Sequence, residues 1–235
     1  MRTLHTDRNH KHWEHRPEKN WPEFEFNQPY EKGLNRLKED VLLNSNFDPA
    51  TLWQWGTMQA MAVIGILKNC ERLFGKEGQD AVFDSLYQVG FDIGKQTTAG
   101  CTIPADMSTS EWVSFYTSVI NRIAYASLED PAIASDQKVN FHIDWCPHQD
   151  TYQAFDCRVQ RYFVQGMIDA GLEFASSQGR KEVWDVAFRS TIPSGSKTCF
   201  FEIFTGNPEK TRQWGEYTQI LEVKAIENAR KEDKV

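Results

Sequence analysis

The chain lacks a hydrophobic run long enough to cross a membrane, and its first residues lack the apolar stretch of a signal peptide. The longest apolar segment, residues 60–67, falls far short of the roughly 20 residues that a spanning helix needs. A concentrated basic patch is also missing, and the net charge of −7 argues against a nucleic-acid-binding surface. These absences predict a cytoplasmic protein that binds neither membranes nor nucleic acids.

The sequence has no CxxC pair and no zinc-ribbon spacing among its five cysteines. A structural zinc site is therefore not indicated, and no cofactor is predicted. An odd number of cysteines in no regular pattern fits a reducing compartment. Zinc or another divalent metal stays open as an alternative, because three separated cysteines can converge on one ion.

Length and helical periodicity predict an α+β fold. At 235 residues and 40% hydrophobic composition, the chain can bury one core, so we expect one domain over residues 36–235. Three N-terminal helices are predicted, the first from Asp48-Pro49 to Phe74, the second from Gly78 to Thr97, and the third from the capping box Ser108-x-x-Glu111. An antiparallel sheet with an inserted helix follows, and a helix that begins at Asn207-Pro208 closes the fold.

Residues 1–35 differ from the rest in being rich in proline and aromatic residues. We expect an N-terminal arm that packs on its own body or on a second subunit, which would make the protein a homo-oligomer. Its aromatic residues, Trp13, Trp21, Phe24 and Phe26, should find apolar partners. His10, His12 and His15 are interpreted as part of a solvated tail.

Residues 184–204 have the pattern of a β-hairpin. Trp184, Val186 and Phe188 alternate with polar or small residues, and Pro193 to Ser196 supply the turn. The returning strand, from Lys197, carries Cys199, Phe201 and Ile203 on one face. Because its other face also holds Phe200 and Phe204, both faces should be covered.

An earlier strand ends in Cys146. Val139, Phe141, Ile143 and Trp145 would form its apolar face, which leaves Asn140, His142, Asp144 and Cys146 on the opposite one. One interpretation is a solvated strand face with a buried cysteine at its end. The other makes His142 or Asp144 a proton-transfer partner for a nearby thiol.

Cys157 follows the N-cap residue type Asp156, at the start of a segment with helical periodicity. A thiol in the first turn of a helix has a lowered pKa because of the exposed backbone N–H groups, and Arg158 and Arg161 add positive charge. The alternative is that Cys157 is a small residue on the outer side of the helix.

These elements together resemble the L-2-amino-thiazoline-4-carboxylic acid hydrolase family. The resemblance rests on Cys146-Pro147, on Cys157, and on the order Arg189-x-Thr191, Gly195 and Cys199-Phe200. The chain departs from the family pattern at Phe200, where an aspartate is typical, and after Cys157, where an acidic residue is replaced by Arg158-Val159-Gln160. The resemblance implies a hydrolase that opens a C–N bond of a small cyclic amidine, amide or related heterocycle.

In that hydrolase, Cys146 or Cys199 is the expected nucleophile, and the catalytic set comprises Cys146, Cys157, Cys199, His142 and Asp144. Arg189 and Thr191 are expected to bind the substrate, with Arg189 holding an anionic group. If a metal is bound, Cys146, Cys157 and Cys199 are the predicted ligands. A weaker similarity to 4-vinyl-reductase-type domains implies a different function, the binding of a small molecule in a cysteine-lined pocket that could contain a metal.

Overall fold

The computed structural model describes residues 24–127, 131–181, 183–205 and 211–232. In these residues it has six α-helices and one four-stranded antiparallel sheet. Helices come first, one helix interrupts the sheet along the chain, and a C-terminal helix closes the order of elements. The predicted α+β class is confirmed. No helix in the described ranges is long and apolar enough to span a membrane.

The chain enters the described part at Phe24, which is buried against Phe26 and Trp112. For these two phenylalanines the prediction of apolar partners is confirmed. The other predictions for the arm, Trp13, Trp21 and the three histidines, lie outside the described residues. A short helix α1 (Glu31–Arg36) and a π-helical segment (Leu37–Leu42), which the sequence did not predict, lead toward the first long helix.

Helices α2 (Ala50–Phe74) and α3 (Lys76–Thr98) are joined at Gly75, whose φ of 61° lies in the left-handed region that favours glycine. Their bounds agree with the predicted helices. Ile64, Leu67 and Glu71 are buried on one face of α2, the face toward α3 and the closing helix.

Helix α4 (Thr109–Tyr125) begins with the predicted capping box: Ser108 accepts from the Glu111 N–H, and Glu111 accepts from the Ser108 N–H. It ends where Ala126 adopts a left-handed conformation, with a φ of 50°. This ending leaves Tyr125, at the last turn, buried in the core.

The sheet has the order β1-β2-β4-β3, formed by β1 (Ala132–Ser135), β2 (Lys138–Ile143), β3 (Trp184–Ser190) and β4 (Cys199–Thr205). The predicted faces of the hairpin are confirmed, with Trp184, Val186, Cys199, Phe201 and Ile203 all buried. Strand β1 was not predicted. The return strand begins at Cys199 rather than at Lys197, because residues 197 and 198 form a bend.

The end of β2 corrects the predicted alternation. Ile143 pairs with Cys199, the first residue of β4, so the ladder stops there. Trp145 is consequently 38% exposed instead of facing the core, and Cys146 is buried in the core instead of lying on the polar face. The pairing also brings the end of β2 close to the start of β4, which positions two of the cysteines.

Helix α5 (Arg158–Ser177) packs closely on α3 through glycines. A Cβ on Gly90 would lie 1.9 Å from the Phe163 carbonyl oxygen, and one on Gly166 would lie 2.1 Å from that of Tyr87. The backbones of the two helices therefore approach each other closely at Gly90 and Gly166. The main core lies where α4 and α5 meet one face of the sheet.

Helix α6 (Thr211–Glu232) closes the order and contacts α2 and β3. Its predicted cap, Asn207-Pro208, lies outside the described residues.

Candidate functional site

Three elements bring the predicted cysteines into one region of the core. Cys146 lies just after β2, Cys157 immediately precedes α5, and Cys199 begins β4. Cys146 and Cys199 are buried, whereas Cys157 is partly exposed. The Ile192 N–H donates to the Cys199 sulfur over 3.3 Å, which ties this thiol to the turn of the hairpin.

The pKa of the Cys157 thiol responds to both of the other cysteines. The pKa of the Cys157 thiol is raised to about 12. Burial is the largest cause, and the proximity of Cys199, Cys146 and Asp156 adds to it. Burial also raises the pKa of Cys146. The predicted lowering of the Cys157 pKa is therefore wrong, because removal from water and neighbouring anionic groups outweigh the helix N-terminus.

The positive charge expected beside Cys157 is also compensated. Arg158 is buried and donates to both oxygens of the buried Glu71 carboxylate, at 2.9 and 2.7 Å from its Nη2 atom. Gln79 donates to the same carboxylate at 2.7 Å, and Arg158 also donates to the Phe155 carbonyl. This network joins α2, α3 and α5, so Arg158 acts first as a structural ion-pair partner.

Tyr125 adds an oxygen to the three sulfurs. Burial raises its pKa well above the ordinary value, the proximity of Cys199, Cys157 and Cys146 raises it further, and Arg161 opposes the rise. Its buried hydroxyl has no hydrogen-bond partner among the described residues, and neither side-chain amide atom of Asn121, one turn earlier on α4, has one. Two adjacent buried polar groups thus remain available for hydrogen bonds.

Sequence reasoning missed Tyr125 and Asn121. They lie on the buried face of α4, where an aromatic residue is more often core than site. The informative pattern was an amide and a phenol four residues apart on a buried face that also carries Ser114, Thr117 and Ser118.

A cleft of about 320 Å³ opens beside Cys157. It brings together the start of α5, the end of β3, the following turn and one residue of α6. Its lining combines hydroxyl, apolar and cationic side chains: Ala154, Phe155, Cys157, Arg158, Arg161, Phe188, Arg189, Ser190, Thr191, Ser194 and Leu221. Arg189 and Thr191, predicted to bind substrate, therefore share a cleft with Cys157.

Among the residues that the structure describes, the lining contains three arginines and no acidic residue, although the whole chain carries a net charge of −7. The carboxylates that balance these arginines lie outside the lining. Arg189, whose side chain is 55% exposed, pairs with Glu202, and Arg161 lies close enough to Glu222 to lower its pKa against the larger raising effect of burial. The charged side chains of the described lining are thus all guanidinium groups, of which Arg158 and Arg189 are already paired with carboxylates and Arg189 is the exposed one.

The predicted proton-transfer residues are placed elsewhere. His142 pairs with Phe200 across the sheet and stacks on its ring at 4.4 Å, so it lies on the face opposite to Cys199. Its Nδ1 atom is 3.4 Å from the Thr198 hydroxyl. Asp144 lies partly buried in the bend after β2. His142 is thus not brought beside the Cys199 thiol, because the two side chains alternate across the pleat.

Within the described ranges, no group of three or more His, Cys, Asp and Glu side chains is arranged to hold a metal ion. Cys146 and Cys199 are close enough to Cys157 to affect its pKa, but the three cysteines do not form a metal-binding group.

No protein-family model matches the chain. An uncharacterized protein of Archaeoglobus fulgidus is 47% identical over 204 residues, which cover 86% of this chain and 90% of the archaeal one. The chain belongs to the same family as this archaeal protein. Because the match covers 86% of the chain, it includes most of the helices and strands that form the candidate site.

Proposed function

We propose that the protein binds a small organic acid in the cleft beside Cys157. The observation that carries the proposal is that the described part of the lining holds three arginines and no acid, in a protein with a net charge of −7. Guanidinium groups are the side chains best suited to hold a carboxylate, since they donate two parallel hydrogen bonds. The cleft volume of about 320 Å³ suits a small ligand.

The apolar lining residues suggest what the rest of the ligand is. Phe155, Phe188 and Leu221 offer contact area to a ring or a short hydrocarbon. Cys157 and Arg161 lie both at the cleft and near Tyr125, so they connect the cleft with the buried polar groups. A polar ring substituent that reaches Tyr125 would satisfy its hydroxyl.

The raised pKa values favour binding over thiolate catalysis. A thiol acts as a nucleophile in its ionised form, and a pKa of about 12 leaves Cys157 almost fully protonated at neutral pH. The small-molecule-binding function, predicted from the sequence as the alternative, is therefore our first proposal.

Hydrolysis of a cyclic amidine is the second candidate, favoured because Cys157 shares the cleft with Arg189 and Thr191. In this candidate Cys157, rather than Cys146 or Cys199, is the nucleophile, since it is the one of the three that lines the cleft. A bound cationic amidine would have to lower the pKa of the thiol.

The proposal is tested by thermal shift and calorimetry with a panel of small ring-bearing carboxylic acids that includes 2-amino-thiazoline-4-carboxylate. Arg189→Gln should weaken binding by about 10- to 100-fold, the value of a charge-assisted hydrogen bond. The matched control Arg36→Gln, on the exposed side of α1, should bind as the parent does. Equal binding by both variants would contradict the proposed role of the cleft.

Turnover separates the two candidates. Cys157→Ser should leave acid binding nearly unchanged under the binding proposal, since the two side chains are similar in size. If the parent opens the thiazoline ring and Cys157→Ser does not, the hydrolase candidate replaces the binding proposal. Tyr125→Phe should weaken a ligand that reaches the hydroxyl without lowering stability, because that hydroxyl has no partner in the described protein.

A further inference from the structure

Helix α2 exposes an apolar strip on the side away from the core. Four large side chains, Trp55, Met58, Ile66 and Leu73, are 57 to 61% exposed. Together with Ala62 they recur at intervals of three, four and seven residues, the spacing of a single helix face. This surface, called the α2 strip below, lies opposite the buried Ile64 and Leu67. The regular spacing of its apolar side chains distinguishes it from the single exposed apolar residues that are normal on a protein surface.

Gly65 leaves open space beside the strip. Gly90, Gly94, Gly166 and Gly171, on α3 and α5, each lie against another helix so closely that a Cβ would clash. Gly65, which borders the strip, has no atom within 4 Å of where its Cβ would be. Glycine within a helix reduces stability by about 0.5–1 kcal/mol relative to alanine. Gly65 therefore leaves room beside the strip for the close approach of another helix, as Gly90 and Gly166 do where α3 and α5 meet.

The charge distribution identifies that partner. From Ala50 to Leu67 the helix has no charged residue, so two copies of the strip meet without repulsion despite the net charge of −7. Acidic Asp48 precedes the helix, whereas basic Arg72 lies in its last turn. Antiparallel pairing brings the acidic start of one helix near the basic end of the other and opposes the two helix dipoles.

We propose that the α2 strip is a dimer interface, in which α2 pairs antiparallel with α2 of a second copy about a two-fold axis near Ala62. Residues equally distant from Ala62 then face each other, so Met58 of one copy meets Ile66 of the other. Trp55 faces Asn69, and Gly65 provides the hollow beside Met58. A two-fold contact of this kind is self-complementary, as most homodimer interfaces are.

Further exposed apolar side chains of α2 can extend the contact beyond the strip. A standard interface takes about 800 Å² from each partner, and a buried Trp or Phe alone accounts for about 150–250 Å². Besides the strip, Leu52, Met61 and Phe74 of the same helix are 39%, 39% and 65% exposed. Their aromatic and aliphatic side chains add to the apolar surface that the strip can bury against a second copy.

Charge-swap variants of the full chain test the pairing by sedimentation equilibrium. The parent should be a dimer, and Ile66→Glu or Met58→Lys alone should raise the dimer dissociation constant by at least about 100-fold. The double variant M58K/I66E should recover most of the affinity, because each Lys then faces a Glu of the other copy. The control Val223→Glu, at a 53% exposed position of α6, should stay dimeric.

Three results would overturn the proposal. The proposal would be overturned if the parent were monomeric at tens of micromolar, because the dimer dissociation constant would then exceed about 10⁻⁵ M. Failure of the double variant to dimerise would exclude the antiparallel register. Loss of the dimer on deletion of residues 1–23, with circular dichroism unchanged, would show that the N-terminal arm is the interface instead.

Discussion

The buried ion pair between Glu71 and Arg158 gives the sharpest prediction for the scaffold of the site. Glu71 is 1% and Arg158 3% exposed, and the two form three hydrogen bonds of 2.7 to 3.2 Å. Glu71→Ala leaves the guanidinium buried without its carboxylate, which destabilises by about 3–5 kcal/mol. Typical domains unfold with about 5–15 kcal/mol, so this change removes a large share of the stability.

Urea unfolding followed by circular dichroism measures the effect. With a slope near 3 kcal/mol per molar urea, the midpoint should fall by about 1 M or more. The control Glu227→Ala, at an exposed position of α6, should change the free energy of unfolding by less than about 0.5 kcal/mol. The double variant E71M/R158M should recover most of the loss, since an apolar pair can replace a buried ion pair.

A loss of unfolding free energy below about 1 kcal/mol for Glu71→Ala would refute the reasoning, because an unpaired buried guanidinium should destabilise the protein by more than that. Equal losses in the single and double variants would likewise show that the two groups are not energetically coupled.

Three further predictions concern the thiols, the helix contacts and acid stability. Cys157, with a pKa of about 12 against an ordinary 9.0, should react with iodoacetamide at pH 8 at least about 100-fold more slowly than free cysteine; a comparable rate by peptide mass spectrometry would contradict this. Gly90→Ala should destabilise by about 2 kcal/mol or more, because its Cβ would meet the Phe163 oxygen at 1.9 Å, whereas Gly56→Ala, with nothing within 4 Å, should be neutral or stabilising by up to about 1 kcal/mol in the monomer; similar losses by thermal unfolding would refute the contact. Burial alone would raise the pKa of Glu202, but hydrogen bonds from Lys138 and Arg189 lower it below 4.5, so its contribution is present above pH 4.5 and lost as the pH falls; Glu202→Gln should therefore flatten the fall in unfolding free energy below that pH, and an unchanged slope would contradict it.

The parts of the fold that follow local rules were predictable from the sequence. The capping box Ser108–Glu111 and the stop at Gly75 fixed helix ends, since side-chain caps and left-handed glycine act within one turn. The faces of β3 and β4 followed from strict alternation. In each case the residues that decide the structure are adjacent in sequence.

The end of β2 could not be predicted because it depends on a distant partner. The alternation continues through Trp145 and Cys146 in the sequence, yet pairing stops at Ile143 because β4 begins only at Cys199. A hydrogen-bonded ladder ends where either strand ends. That register requires the tertiary pairing of segments more than 50 residues apart.

The chemistry of the site shows the same division. The cysteines and the pair Arg189 and Thr191 were chosen from the sequence, and the structure places all of them in one region. The lowered pKa predicted for Cys157 relied on the local helix N-terminus. That prediction was wrong because burial, and the thiols of two residues that are remote in sequence, raise the pKa more than the helix lowers it. The role of Tyr125 could not be predicted for a related reason, since only the tertiary packing shows that its hydroxyl is buried without a hydrogen-bond partner among the described residues.

The most direct test of the central claim is calorimetric binding of matched pairs, each a small ring-bearing carboxylic acid and its neutral primary amide. If the arginine-lined cleft holds a carboxylate, at least one acid should bind about 10- to 100-fold more tightly than its amide. That preference should disappear in Arg189→Gln. If no acid in the panel binds more tightly than its amide, the proposal that this protein binds a small organic acid is contradicted.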